Sequence, residues 1–287
     1  MRIVVTGAGG QLGRELVEVV RRAGHEPIAA DRALCDISRP GAAARLLSES
    51  GPAAVVNCAA WTNVDGAEGA ADDAYRANAL GARLLAAACA AAGVRLCHVS
   101  TDFVFDGETE APLDEWAPVR PLSVYGASKL AGELEVRAIC PDHQIVRTAW
   151  VFGQDGPNFV LTVLRLAAQR SELRVVADQH GSPTWTGHLA PALLRLVELG
   201  VPGTFHLTGG GGTSRHRLAE AVVEEAGLTV PVIPVGTDEF PLPARRPRHA
   251  VLDNRAWRLL GEPALPGWRE GVRGYLASRR ASTPAAR

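Results

Sequence analysis

Residues 2–20, RIVVTGAGGQLGRELVEVV, run from a β-branched strand through a glycine turn into an amphipathic helix. Gly7, Gly10 and Gly13 fall in the spacing G-x-x-G-x-x-G, and the helix is expected to begin near Gln11. Glycine by itself is weak evidence, because tight turns use it for conformational freedom. Between a first strand and a helix it has a more specific use. Backbone N–H groups can approach a pyrophosphate there, and the positive end of the helix points at the same charge. Gly7, Gly10, Gln11, Leu12 and Gly13 are therefore the first candidates to hold a dinucleotide.

The alternation continues along the chain. Further strands are expected at 26–31, 53–60, 95–101, 143–150 and 203–209, most of them apolar on both faces. Helices are expected at 11–20, 38–50, 72–92, 124–140 and 187–199. Strands covered on both sides and separated by helices imply an α/β fold on a doubly wound parallel sheet. From about residue 151 the rhythm changes to a helix at 156–170, a short strand LRVVAD, a helix at 214–226 and a proline-rich stretch. These features suggest a second, smaller α/β lobe. Because 203–209 still reads as a core strand, the chain should cross between lobes more than once. The expected division gives 1–150 plus about 183–212 to nucleotide binding and about 151–182 plus 213–280 to the substrate, with a disordered tail at 281–287.

Composition narrows the function classes. The formal net charge is −1 and the basic residues are dispersed, so neither nucleic acid nor an anionic membrane has an electrostatic footprint. Five scattered cysteines without a C-x-x-C read as buried thiols in a reducing compartment. The eight histidines lie apart, and no metal site is expected. Ile3, Val4 and Val5 are too short a run for a signal peptide, and LLAAACAAAGV is too short for a membrane span. A soluble cytoplasmic protein is the expectation.

Asp31 closes the second strand, where an acid hydrogen-bonds a ribose 2′-hydroxyl and repels a 2′-phosphate. Arg32 follows at once and offers that phosphate a partner, so NADH and NADPH both stay open. In CDIS, Asp36 is placed either near an adenine or, with Ser38, at a helix N-terminus.

HVSTDFVFDG brings Ser100, Thr101 and Asp102 to the carboxyl end of a core strand, where open α/β sheets bind ligands. Downstream, Tyr125 and Lys129 share one helical face, and Asn78 lies on the preceding helix. This set resembles the short-chain dehydrogenase/reductase constellation of Ser or Thr, Tyr-x-x-x-Lys and Asn. A free tyrosine titrates at about 10 and exchanges protons poorly at neutral pH. A lysine ammonium beside it, and an oxidised nicotinamide, are expected to favour the phenolate and lower that value. Thr101 can support a carbonyl oxygen as negative charge develops on it.

TGAGGQLG, VVNCAAWTNVDGAE, VSTDFVFDG, PLSVYGASKLAGE, VRTAWVFG and DQHGSPT occur in order over about two-thirds of the chain. Together they resemble the dTDP-4-dehydrorhamnose reductases, an extended branch of that superfamily. The resemblance implies a Rossmann-like nucleotide domain and hydride delivery from NADPH or NADH to C4 of a nucleotide-bound 4-keto-6-deoxysugar. The foremost reaction is dTDP-4-dehydro-L-rhamnose to dTDP-L-rhamnose, with Tyr125 protonating the carbonyl oxygen. By the same matching Thr101 assists at that oxygen and Lys129 anchors the ribose. Ile37, Cys58, Ala59, Ala60 and Asn78 join the cofactor site, while Thr62, Val64, Asp102, Phe103, Trp150 and Arg246 fall to the substrate, Arg246 facing its phosphates. Alternatives stay open at three of them: Asn78 as a helix-kink or loop-holding residue, Trp150 as plain core and Arg246 as a surface arginine. The expected partner is a dTDP-sugar, with no nucleic acid and no membrane, and a homodimer is open.

Two positions depart from the family pattern. Phe103 stands where S-T-D-Y is usual, and Ala250 replaces the serine of R-P-x-x-S-x-L. Both bear on the sugar more than on the reaction, and the Ala- and Arg-rich composition also suits a ketoreductase of antibiotic deoxysugars. A nucleotide-sugar 4,6-dehydratase would carry glutamate at position 103 and is disfavoured. An epimerase would retain its cofactor between turnovers. A non-catalytic nucleotide-binding subunit of the methionine adenosyltransferase type shares the architecture and is the alternative from outside the enzymes.

Overall fold

A computed structural model describes residues 1–282 of the 287-residue chain. The strands are β1 (Arg2–Thr6), β2 (Glu26–Ala30), β3 (Ala54–Asn57), β4 (Arg95–Thr101), β5 (His143–Thr148), β6 (Val151–Phe152), β7 (Leu173–Val176), β8 (His180–Gly181), β9 (Thr184–Trp185), β10 (Gly203–His206), β11 (Thr213–Ser214), β12 (Val232–Val235) and β13 (His249–Ala250). Six of them form one all-parallel sheet in the order β10-β5-β4-β3-β1-β2. All six expected core strands are in it. The order reverses between β1 and β3, so a crevice opens beyond their carboxyl ends.

The helices are α1 (Gln11–Arg22), α2 (Ala42–Ser50), α3 (Val64–Gly69), α4 (Ala71–Tyr75), α5 (Gly81–Ala92), α6 (Val124–Ile139), α7 (Phe159–Ala167), α8 (Thr186–Leu199), α9 (Arg215–Glu225), α10 (Arg255–Leu259) and α11 (Trp268–Ser282). Successive side chains of the central strands enter opposite cores. Ile3, Val5, Val56, Cys97 and Val146 join Leu12, Leu16 and Val20 of α1 and Leu189, Leu193 and Leu196 of α8. Val4, Val55, Leu96 and Ile145 join Leu46 of α2, Leu85 and Cys89 of α5 and Val136 of α6. This is why the strands read as apolar on both faces, each fully buried aliphatic side chain contributing about 1.5–3 kcal/mol.

A third buried cluster joins Phe152, Val160 and Val163 to Leu218 and Val222 of α9 and to Val272, Tyr275 and Leu276 of α11. Around it lie the pairs β12-β7 and β6-β9 and the three-stranded β11-β8-β13.

Three expectations change. The helix foreseen at 72–92 is interrupted by a π-helical turn at Arg76–Leu80, between α4 and α5. The helix foreseen at 38–50 starts only at Ala42, after Gly41 at φ +80°. Neither Asp36 nor Ser38 caps it, because the Asp36 carboxylate accepts the N–H and hydroxyl of Ser38 in a local turn. The tail foreseen from 281 is helical at its start, where Ala281 and Ser282 finish α11, and 283–287 lie outside the described residues. Among the described residues no helix is long and apolar enough to cross a membrane, and no three His, Cys, Asp or Glu gather as metal ligands.

Candidate active site

The crevice at the sheet reversal holds a cavity of about 1450 Å³. That exceeds the roughly 300–1,000 Å³ taken by one small ligand, so two can share it. Gly7, Gly10, Gln11, Leu12, Gly13, Asp31, Arg32, Asp36 and Ile37 line it along the glycine turn and the end of β2. Cys58, Ala59, Ala60, Thr62 and Val64 line it beyond β3. Thr101, Asp102, Phe103, Tyr125, Lys129, Trp150 and Arg246 complete the wall. The structure brings all of these together. Asn78 is the exception.

The glycines are dictated by close approach. Gly7 has φ +66°, and a Cβ on it would lie 2.6 Å from the Ala59 nitrogen. A Cβ on Gly13 would lie 2.3 Å from the Gly7 carbonyl oxygen, so α1 can seat on the turn only without one. Gly10 caps α1 with no side-chain acceptor, leaving the N-terminal amides of the helix to face the cavity. A pyrophosphate fits this cradle as acceptor and counter-charge.

At the ribose end, Asp31 already spends one carboxylate oxygen on the N–H groups of Ala33 and Leu34. Arg32 is 89% exposed and only loosely paired to Asp36 at 3.4 Å.

Tyr125 reaches the end of β4 through two close approaches. Ser123 caps α6 by accepting the Gly126 N–H, and a Cβ on Gly126 would meet the Phe103 carbonyl oxygen at 2.2 Å. The Phe103 ring then packs edge-on to Tyr125, centroids 5.4 Å apart. The Thr101 hydroxyl stands close enough to Tyr125 to favour its phenolate. Thr101 also accepts the Phe103 N–H and donates to Asp102 Oδ1 at 3.1 Å.

The electrostatics differ from expectation at one point. Burial pushes Tyr125 up to about 12, opposed by the Thr101 hydrogen bond and reinforced by Asp102. The lowering expected from Lys129 is absent. Lys129 is buried, donates to the Val99 carbonyl at 2.7 Å, and is brought down to about 8 by desolvation. Burial likewise raises the Asp102 carboxyl to about 6, against the Thr101 hydrogen bond and the Arg215 charge. Among the described residues, Asp102 Oδ2 has no hydrogen-bond partner, and Asp102 lines the cavity wall. The Cys58 thiol, pushed up to about 12 by burial, is a wall and not a nucleophile.

Asn78 does not line the cavity. It sits in the π turn, accepts the Trp61 N–H at 2.8 Å and donates to the Trp61 carbonyl and to Ser128 of α6. A Cβ on Gly132 would meet the Asn78 carbonyl oxygen at 2.2 Å, so α6 packs directly on the turn. Asn78 therefore ties the 61–64 loop to α6 as a loop-holding residue in the π turn, away from the cavity wall.

At the opposite end, Trp150 adopts φ +45°, a strained backbone for a bulky residue. Its ring fills the space beside Gly181, where a Cβ would come within 2.5 Å. Over that ring, 3.6 Å from its centroid, lies the guanidinium of Arg215, which no sequence motif singled out. Arg215 opens α9, where the helix dipole disfavours a cation, and that anomaly was its only signal in the sequence. Arg246 lines the same cavity, but its guanidinium forks onto Asp65 at 2.7 and 3.0 Å. That contact holds Asp65 below the usual carboxylate range.

Residues 1–281 match the family model described as the RmlD substrate binding domain. A dTDP-4-dehydrorhamnose reductase of Mycobacterium tuberculosis is 44% identical over 98% of this chain and 94% of its own. A dTDP-4-keto-6-deoxy-D-glucose reductase of Streptomyces niveus is 40% identical over 93% of each. The crystal structure of dTDP-4-dehydrorhamnose reductase from Bacillus anthracis in complex with NADP superposes with a TM-score of 0.94 at 38% identity, covering 96% of this chain and 99% of that one.

Proposed function

The chain belongs to the RmlD family, that of the dTDP-4-dehydrorhamnose reductases, and from that premise we propose that it reduces dTDP-4-dehydro-L-rhamnose at C4 to dTDP-L-rhamnose with NADPH. The observation that carries this reading is the convergence of Thr101, Tyr125 and Lys129 on one cavity with the open N-terminus of α1. When bound, NAD(P)H supplies the hydride. Gly7, Gly10 and the first amides of α1 would hold its pyrophosphate, and Lys129 its ribose hydroxyls. The loosely held Arg32, beside an Asp31 already engaged by its own turn, supports a 2′-phosphate and hence NADPH.

Because burial raises its pKa, Tyr125 keeps its proton through neutral pH and can donate it as charge grows on the carbonyl oxygen. Thr101, fixed by Phe103 and Asp102, supports the same oxygen. Phe103 stands where a dehydratase would need its glutamate, which favours simple reduction.

We assign Arg215, whose guanidinium has no hydrogen-bonded acceptor among the described residues, to the anionic part of the sugar nucleotide, in preference to Arg246 with its Asp65 partner. Arg215→Met keeps an apolar stem over Trp150 and removes the charge. The KM for the sugar nucleotide is expected to rise about ten- to hundredfold, the worth of a charged hydrogen bond, with kcat changed less than about threefold. An unchanged KM would refute the assignment.

The two-part division of the chain is carried forward in this proposal, with 1–150 plus about 183–212 holding nucleotide and about 151–182 plus 213–280 shaping the sugar site. The separate cluster around Phe152, Leu218 and Tyr275 supports it. Cytoplasmic residence is supported by five unpaired thiols. Homodimeric assembly is the remaining element, to be decided by sedimentation. The direct test of function is NADPH oxidation against a panel of dTDP-4-keto-6-deoxyhexoses. Turnover with the rhamnose precursor supports the proposal; preferential turnover of another sugar replaces the substrate, and turnover of none favours the non-catalytic, nucleotide-binding role.

A further inference from the structure

We propose that His98 is a positioning residue for Lys129: its imidazole is locked from behind as the Nε2–H tautomer and turns that N–H, instead of a lone pair, toward the lysine. His98 lies on β4 and is 1% exposed, with Asn57 of β3 behind it. The backbone fixes which way the Asn57 amide points. Its Oδ1 accepts the Ala59 N–H at 3.1 Å and the Thr6 hydroxyl at 2.6 Å. Its Nδ2 therefore faces His98 Nδ1, at 2.9 Å, as a donor. Nδ1 must accept, and the one proton of a neutral ring sits on Nε2. Burial, and then the Lys129 charge, hold His98 well below its usual range, so the ring stays neutral.

Nε2 is 3.5 Å from Lys129 Nζ, at the outer limit for a hydrogen bond and suited to two donors side by side. Lys129 sends one N–H to Val99 at 2.7 Å. With no acceptor on the His98 side, its remaining N–H groups are left for the cavity and a ribose hydroxyl. The opposite tautomer would draw Lys129 back onto His98, and would set Asn57 Nδ2 against the Ala59 N–H, donor on donor. Among the described residues, three titratable groups touch or act on Lys129: the Cys58 thiol beyond β3, His98 on β4 and Glu133 on its own helix. The Glu133 carboxylate is paired with Arg147. Thr6, Asn57, His98 and Lys129 thus form one line across the carboxyl end of the sheet, from the strand before the glycine turn to the catalytic helix.

The positioning role rests on the ketoreductase reading of the site, whereas the tautomer is read without substrate, so the two fail separately. The test is ¹⁵N NMR of the full chain labelled at histidine. From about pH 6 to about pH 9, His98 is expected to show an unprotonated Nδ1 and a protonated Nε2. Protonated Nδ1, or an imidazolium, would overturn the proposal. Asn57→Asp supplies acceptors to Thr6, Ala59 and His98 alike and should flip the ring to Nδ1–H. Nε2 then accepts from Lys129 and draws it out of the cavity, and the NADPH Kd should rise about tenfold, the worth of about one hydrogen bond. Lys129 loses its proton as pH rises past about 8, so kcat/KM is expected to fall there; the added carboxylate raises that pKa and should move the fall to higher pH. A flipped ring with unchanged NADPH affinity and an unchanged pH profile would also overturn the proposal. If the variant does not fold, the spectrum of the unaltered protein still decides.

Discussion

Tyr125→Phe is expected to lower kcat by about 10²- to 10⁴-fold, the contribution of a positioned general acid, while NADPH and sugar-nucleotide affinities change less than about threefold. The substitution is clean. The ring stays edge-on to Phe103 and buried in the cavity wall, so packing is conserved and only the hydroxyl is lost. That hydroxyl joins Thr101 at the end of β4 and carries the proton that the reduced carbonyl oxygen needs. Residual turnover is expected from hydride delivery with Thr101 alone supporting the oxygen. Wild-type turnover in the variant would remove Tyr125 from the reaction.

Arg147→Met is expected to destabilise the fold by about 3–5 kcal/mol, because it strips the partner from a carboxylate with no access to water. Glu133 is fully buried and receives Arg147 Nη2 at 2.7 Å, Arg147 Nε at 3.0 Å and the Ser100 hydroxyl at 2.5 Å. Arg147 is equally enclosed and lies over the Phe105 ring. With total stability of order 5–15 kcal/mol, the loss should be plain in urea or heat unfolding. The double change Glu133→Leu with Arg147→Met removes both charges and should recover most of it. Equal stability of single variant, double variant and wild type would show that the pair does not matter to the fold. Glu133 also raises the Lys129 pKa from one helical turn away, so the double variant should lose affinity for NADPH even where it folds well.

Much of this architecture was legible in the residues because its causes are local. Val4 and Val5 enter different cores, and a strand buried on both faces must be written in aliphatic residues throughout. Gly7 and Gly13 sit where a Cβ would strike backbone, so the nucleotide turn could be read directly. Thr101, Tyr125 and Lys129 were recognisable by type and order.

What escaped depends on long-range closure. The π turn at Asn78 lies inside a sequence with good helical periodicity throughout, and its cause is the Trp61 loop and Ser128 packed against it. Two-residue strands such as β6 and β8 are too short to leave a period. Arg246 was assigned to the substrate without sight of the Asp65 that the fold delivers to it, and Arg215 belonged to no motif before the fold delivered Trp150. The expected depression of Tyr125 failed for a related reason: proximity to lysine in sequence did not foretell that Lys129 would be turned to the Val99 carbonyl.

The central claim is that the cavity passes hydride to C4 of a dTDP-linked 4-keto-6-deoxysugar while Tyr125 supplies the proton. Turnover with NADPH deuterated on its transferable position, followed by NMR of the isolated sugar nucleotide, reads this most directly. Deuterium is expected on C4 of dTDP-L-rhamnose as a single stereoisomer, and absent from every other carbon. Label that stays with the cofactor, or appears at another ring position, would contradict it.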